Sequence, residues 1–338
     1  MARNISNCVT MGLRYRKQRG VALITAIFVV AIVVTITSLM SLNQLVWIRQ
    51  VQNMMDKSQA TSVLQGAYLS AAALLAADAK LNDSDHLKEL WATLPLGGEA
   101  EGGLYIGTAS DAQSLFNLNN LITNDKPSAP DIAVFRKLLS HVKLDENLVE
   151  AVIDWIDKDE KRRPNGGAED TTYLGKQPVP YRTPNKLMES VQELRLIEGF
   201  SAPQNRQGLN RLFEFVTVLP KRTAINVNTA PAVLINAILP NGNGTAGENI
   251  VKYRSKIPFE SKKDFLGQLI KGQKAPQVEF DIKTSYFFIR VQTEFGRLSN
   301  RSIGLLYRPS KGKKTKLLWR SREPIIIDLN KENKDEKS

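Results

Sequence analysis

The sequence predicts an α+β protein: a long N-terminal helix packed on an antiparallel β-sheet, with a large all-helical region inserted into the sheet. Three observations carry this. Residues 21–42 hold no charge and run into a stretch whose apolar residues recur at three- and four-residue steps. Residues 284–329 fall into short runs rich in aromatic and branched side chains, the composition of strands. Between these regions one helical pattern occurs twice, about a hundred residues apart.

In order, residues 1–20 form a basic leader with Arg3, Arg14, Arg16, Lys17 and Arg19 and no acid. As a helix, Val21 to Leu42 would be about 33 Å long, the thickness of a bilayer core. Residues 43–82 continue it one-sidedly: Leu45, Ile48, Met55, Leu64, Tyr68, Ala71 and Leu75 face one way, Arg49, Gln52, Asp56 and Gln59 the other. Asn82-Asp83-Ser84-Asp85 ends the helix with turn-forming residues. Residues 83–114 hold a first strand at Gly102 to Thr108.

A first helical module is expected over 115–205, with helices at Asp131 to His141 and Asp145 to Ile156, the latter capped by Asp145. A third helix at Ser190 to Ile197 stops at Gly199. The second module, 206–276, repeats the motifs. Ile225-Asn226-Val227-Asn228 matches Phe116-Asn117-Leu118-Asn119, and Glu248-Asn249-Ile250-Val251 matches Glu146-Asn147-Leu148-Val149. Lys263 to Leu269 resembles Ser190 to Leu196. Leu212 to Leu219 is strand-like, and residues 277–330 supply further strands at Thr284 to Thr293, Ser302 to Tyr307, Lys316 to Trp319 and Pro324 to Leu329. The charged tail is 331–338.

A net charge of +12 over 338 residues resembles a nucleic-acid signature until it is divided. Five of the basic residues are in the leader, and without them the excess falls to seven. A basic cluster just before an apolar span follows the positive-inside rule instead, with the leader cytoplasmic and the remainder translocated. The only cysteine, Cys8, also lies in the leader, so the rest of the chain forms no disulfide. His86 and His141 are far apart and no thiol lies near either, which argues against zinc.

Asp154 to Glu160 and Pro164 to Asp170 gather acids around a glycine-containing loop. Asp157 and Asp159 at alternate positions, with Glu169 or Asp170 returning, could offer calcium several of the six to eight oxygens it takes. Composition alone favours a solvated acidic loop over a metal site. A catalytic carboxylate pair needs two acids in unlike environments, and nothing separates these. No phosphate loop or nucleophile elbow occurs, so the chain reads as a non-enzyme.

Gln18-Arg19-Gly20-Val21-Ala22-Leu23-Ile24-Thr25 places a candidate cleavage site before the apolar helix rather than after it. This arrangement resembles the leaders of type IV pilins and pseudopilins, which a dedicated prepilin peptidase cuts after glycine before methylating the new first residue. The resemblance assigns Gly20 to cleavage and Val21 to N-methylation. Pilins generally carry glutamate at the fifth mature position; here that position is Thr25. The K-type minor pseudopilins of type II secretion systems share this lack, and Asp154 to Asp170, Tyr173, Tyr181, Pro184-Asn185, Glu193-Leu194 and both Asn-x-Asn segments resemble their pattern. The resemblance implies a pilin-like fold with two SAM-like or helix-hairpin-helix-like modules and calcium in the inserted region, with Asp157, Asp159, Glu169 and Asp170 as candidate ligands. It also implies a single-pass inner-membrane protein with a periplasmic C-terminal bulk. Such a subunit would sit at the pseudopilus tip and initiate its assembly, partnered by I-type and J-type minor pseudopilins, the major pseudopilin and the inner-membrane platform.

Residues 225–269 also resemble the helix-hairpin-helix units of membrane-anchored DNA receptors, in which a glycine turn presents backbone N–H groups to phosphate. Gly242 and Gly244 permit that turn. Asn241 stands where such units have glycine, and no dense basic stripe borders it.

Overall fold

A computed structural model describes residues 19–100, 102–240, 244–269, 273–309 and 314–322. The leader up to residue 18, the turn at Gly242, the strand expected at Pro324 to Leu329 and the tail lie outside the described residues. The chain divides into two units, one ending at Ser58 and one running from Gln59. Helix α1, Arg19–Leu81, supplies the described part of the first unit and the opening of the second.

In the first unit, every large apolar side chain from Val21 to Leu42 is exposed. The stretch is long and apolar enough to cross a membrane. Its threonine hydroxyls bond back within the helix: Thr25 Oγ1 donates to the carbonyls of Val21 (3.1 Å) and Ala22 (3.0 Å), and Thr35 to that of Ala31. These donors need no further partner in an apolar medium.

In the second unit, α1 buries Leu64, Ala67, Tyr68, Ala71 and Leu75 along one face. This stripe packs on a five-stranded antiparallel sheet: β1 (Leu96–Ala100), β2 (Gly103–Asp111), β3 (Tyr286–Phe295), β4 (Leu298–Tyr307) and β5 (Lys316–Arg322). The strands neighbour one another in chain order, so the whole helical region lies between two adjacent strands, β2 and β3. Phe287, Ile289 and Val291 alternate inward to meet the helix. A Cβ at Gly304 would stand 2.7 Å from the Tyr68 ring, so glycine there lets the helix lie close. Gly296, at φ +54, opens the two-residue turn from β3 to β4.

The inserted region, residues 112–285, has its own core, from Phe116 to Ile282. Its first helices are α2 (Ala129–His141) and α3 (Leu148–Ile156). Helices α4 (Ala232–Ile238), α5 (Ala246–Arg254) and α6 (Lys262–Gly267) follow. The duplication is visible atom by atom. Asn119 brackets the backbone of Met188, accepting from its N–H (2.9 Å) and donating to its C=O (3.0 Å). Asn228 does the same to Phe259, at 2.9 Å both ways. Two residues beyond each bracketed backbone a capping box opens a helical turn, Ser190 with Glu193 and Ser261 with Asp264.

The module limits differ from the expected 115–205 and 206–276. Phe116–Asn117 pairs in parallel with Val216–Thr217, and Ile225–Asn226 with Phe280–Asp281. Each module is therefore closed by a short strand after its helices, so residues 206–221 belong to the first and Phe280–Asp281 to the second. Two-residue strands leave no alternation to read. For the same reason Leu212 to Leu219 holds only the strand Val216–Thr217, behind a helix at Arg206–Leu212. The helix expected at Ser190 to Ile197 is a 3-10 turn, Val191–Arg195. The helix expected from Asp145 begins at Leu148, Asp145 instead accepting the N–H of Asn147 at 2.9 Å.

Candidate functional site

Helix α3 is buried from Val149 to Ile156 and sits at the centre of the first module. Apolar residues hold most of its face; Glu150 and Asp154 are the buried exceptions. Glu150 is neutralised by Arg136 (2.6 Å) and Arg163 (2.5 Å), which fastens the loop after α3 back to the helix. Trp155 donates its indole N–H to Glu193 (2.9 Å) and packs edge-on against Tyr173, which meets Tyr181 at a tilt. The residues that carried the family resemblance thus form the frame around one loop.

That loop, 157–169, turns through Asn165 (φ +64) and Gly166 (φ +122). At Gly167 a Cβ would stand 2.3 Å from Asp154 Oδ2, so only glycine lets the chain return past the helix end. The return brings Glu169 beside Asp157 and Asp159, one carboxylate oxygen of each lying within 4.8 Å of the others. Both oxygens of Glu169 are buried without a hydrogen-bond partner, as are Asp157 Oδ1 and Asp154 Oδ1. Asp154 Oδ2 accepts from the Arg163 N–H at 3.1 Å, and Asp159 from that of Lys161 at 2.8 Å.

The electrostatics follow from this crowding. Burial, then repulsion from Asp154, Asp157 and Asp159, pushes the Glu169 carboxyl up to about 8. Burial with like-charged neighbours raises Asp157 to about 6, and burial raises Asp154 to about 6. Asp170 behaves oppositely: hydrogen bonds from Thr183, with Arg182 at 3.0 Å, lower its pKa. The structure therefore brings together three of the four expected acids, Asp157, Asp159 and Glu169. Asp170 is engaged by Thr183 and Arg182 instead. Asp154, absent from the expected set, borders the cluster; its place at i and i+3 with Asp157, at a helix end, is the signal that could have found it.

Such a group of orphaned, mutually repelling oxygens lacks a positive charge. The donors are all carboxylate, with no sulfur or imidazole, which suits a hard cation that takes oxygen ligands. The residues fit calcium.

Elsewhere, α5 does not offer its arginine to a phosphate. Arg254 is buried and donates to the carbonyls of Val227 and Ala230. Gly247 lets α5 meet α4, since a Cβ there would stand 2.2 Å from the Ala232 carbonyl.

Residues 114–221 and 225–283 match two family models, both described as "Type II secretion system (T2SS), protein K". These limits coincide with the strand-closed modules. The chain is 32% identical over 311 residues to type II secretion system protein K of Pseudomonas aeruginosa, covering 88% of this chain and 91% of that one. This chain belongs to the type II secretion system protein K family. The Aeromonas hydrophila protein K is 29% identical over 328 residues, covering 90% of this chain and 96% of its own. The crystal structure of the GspK-GspI-GspJ complex from enterotoxigenic Escherichia coli contains a chain with the same fold (TM-score 0.66, 20% identity), covering 81% of this chain and 99% of that one. Protein K is the K-type minor pseudopilin that the leader, helix and paired Asn-x-Asn segments resemble, and its long helix, sheet and helical insertion make the pilin-like α+β fold.

Proposed function

We propose that this chain caps the type II secretion pseudopilus and initiates its assembly. The observation that carries the reading is the insertion, residues 112–285, placed between adjacent strands of a pilin-like sheet. A body of that size leaves little room for a subunit stacked beyond it. Thr25 supports the same place: its hydroxyl bonds back to its own helix and offers no carboxylate to the amine of a neighbour ahead.

The leader is removed after Gly20 by a prepilin peptidase and Val21 becomes the methylated first residue. A Cβ at Gly20 would meet nothing within 4 Å, so packing gives no reason for glycine there and recognition by a peptidase does. The apolar part of α1 holds the protein in the inner membrane until assembly, with the C-terminal bulk in the periplasm. The solved relative is in complex with GspI and GspJ; I-type and J-type minor pseudopilins are the corresponding partners here, with the major pseudopilin and the inner-membrane platform below. Assembly, not catalysis, is the activity.

In the first module Asp157, Asp159 and Glu169 would hold calcium, with Asp154 beside them. The ion supplies the positive charge that their buried oxygens lack. Arg163, bound to Glu150, keeps the loop against α3, and the Trp155, Tyr173 and Tyr181 rings exclude water behind it.

Mass spectrometry of the protein from membranes tests the leader: the expected chain begins at methylated Val21, and Gly20→Ala blocks the cut. Intact protein beginning at Met1 overturns it. Immunogold labelling of overproduced pseudopili tests the location, gold at one end only being expected and gold along the shaft contradicting it.

A further inference from the structure

Away from the loop, a second group of carboxylates converges where α1 ends. Asp78 lies in the last turn of α1, and Asp85 and Glu89 follow within the next eleven residues; one oxygen of each lies within 4.8 Å of the others. Arg308, just past β4, bonds Asp78 Oδ2 at 2.8 Å and also Asp85. An ion-pair network is the simplest account of the cluster, but one guanidinium offsets one of three charges. Asn82 and the Thr284 N–H add only neutral donors, each at 2.8 Å, to the other oxygens of Asp78 and Asp85.

Glu89 is the member left over. It is 6% exposed, and its Oε2 accepts from the Trp91 indole and from the His86 N–H at 3.3 Å. Its Oε1 is buried with no hydrogen bond. The group facing Oε1 is His86 Nε2, at 3.8 Å, beyond hydrogen-bond distance. A cleft of about 410 Å³ opens beside it, lined by Asn82, Asp83, His86 and Glu89 and, across from them, Ile257 and Glu260. Acids at the rim and an unbonded acid oxygen within attract cations and give them a route.

We propose that Asp78, Asp85 and Glu89 form a second hard-cation site, of the calcium class, at the foot of α1. Glu89 Oε1 is its first ligand, the remaining lone pairs of Asp78 and Asp85 its next, and water from the cleft completes the six to eight oxygens such an ion takes. The ion relieves the repulsion that Arg308 leaves and ties the last turn of α1 to the segment that leads into the sheet. This site stands independently of the loop in the first module.

The test uses the detergent-solubilised full chain, with Tb³⁺ as a luminescent probe and Ca²⁺ as competitor. Trp91 donates to Glu89, so Tb³⁺ held there is excited through Trp91; at the loop the neighbouring indole is Trp155. In a Glu169→Gln background, Tb³⁺ emission is expected to persist, to be displaced by Ca²⁺ and to fall at least tenfold when Trp91→Phe is added. Calorimetry on that background should show one remaining Ca²⁺ site, weakened at least tenfold by Glu89→Gln, which is isosteric and keeps an acceptor for Trp91. If the circular dichroism of Glu89→Gln departs from its parent, Glu89→Asp takes its place, with the same direction of loss. Absence of Ca²⁺ binding in Glu169→Gln, unchanged affinity after either Glu89 change, or emission that survives Trp91→Phe overturns the proposal. Binding lost with Glu89→Gln but indifferent to Glu169→Gln supports this site and counts against the loop.

Discussion

Glu169 turns both carboxylate oxygens into the protein with nothing to bond them, and this sets how the metal-free chain responds to pH. Its folded pKa, about 8, lies above the ordinary 4.5, so between those values the native state holds a proton that the unfolded chain has released. The contribution of Glu169 to stability is then greatest below about pH 4.5 and falls as pH rises towards 8, with Asp154 and Asp157 adding to the fall up to about 6. Thermal melts in EDTA should show a midpoint that drops from pH 5 to pH 8, and Glu169→Gln should flatten that drop. In a Glu89→Gln background, calcium at a hundredfold the loop's Kd should restore about 2.7 kcal/mol, and little once Glu169→Gln is added. That Asp157, Asp159 and Glu169 converge was legible because alternate acids beside a glycine loop are a chemical pattern. Asp170 was not separable from Glu169 by sequence, since only the fold shows that Thr183 and Arg182 bond one while the other meets carboxylates and no donor.

At the scale of elements, the repeated unit is held by an amide side chain spanning a backbone it meets far along the chain. Asn119→Ala would strand the Met188 N–H and C=O, and Asn228→Ala those of Phe259. Each should cost about 2–3 kcal/mol in urea denaturation, because both groups are buried and lose their partner together. Asparagine to aspartate should fare no better, since it keeps the acceptor but loses the donor. Loss in only one module would contradict their equivalence. The Asn-x-Asn repeat announced these brackets, but the strands that close each module did not, being two residues long and recognisable only once paired. The strand Tyr286–Phe295 was plain from its aromatic and branched composition, whereas Leu298–Tyr307 was expected only from Ser302 onward, its polar opening Ser299-Asn300-Arg301 hiding the first half.

For the whole molecule, the division at Ser58 separates a stretch whose apolar residues, from Val21 onward, are all exposed from one with a packed core. The first has no use for its surface in water. Ile32→Lys places a charge in the middle of the apolar span, at about 2.5–3.5 kcal/mol for insertion. It should abolish export of secreted enzymes when it replaces the parent gene, while the folded second unit, released as a soluble fragment, keeps its melting temperature. Secretion at the parental level would mean that this helix contacts neither lipid nor other helices.

The insertion leaves the sheet at Asp111 and re-enters beside it, because Asp111 and Phe287 face each other in the β2–β3 ladder. Facing residues in such a ladder stand about 5 Å apart, a gap that a tight reverse turn bridges. The scaffold is therefore already closed where the extra body is spliced in. Evolution could have added that body, or a protein engineer could swap it for another cargo, without redrawing a single rung of the host.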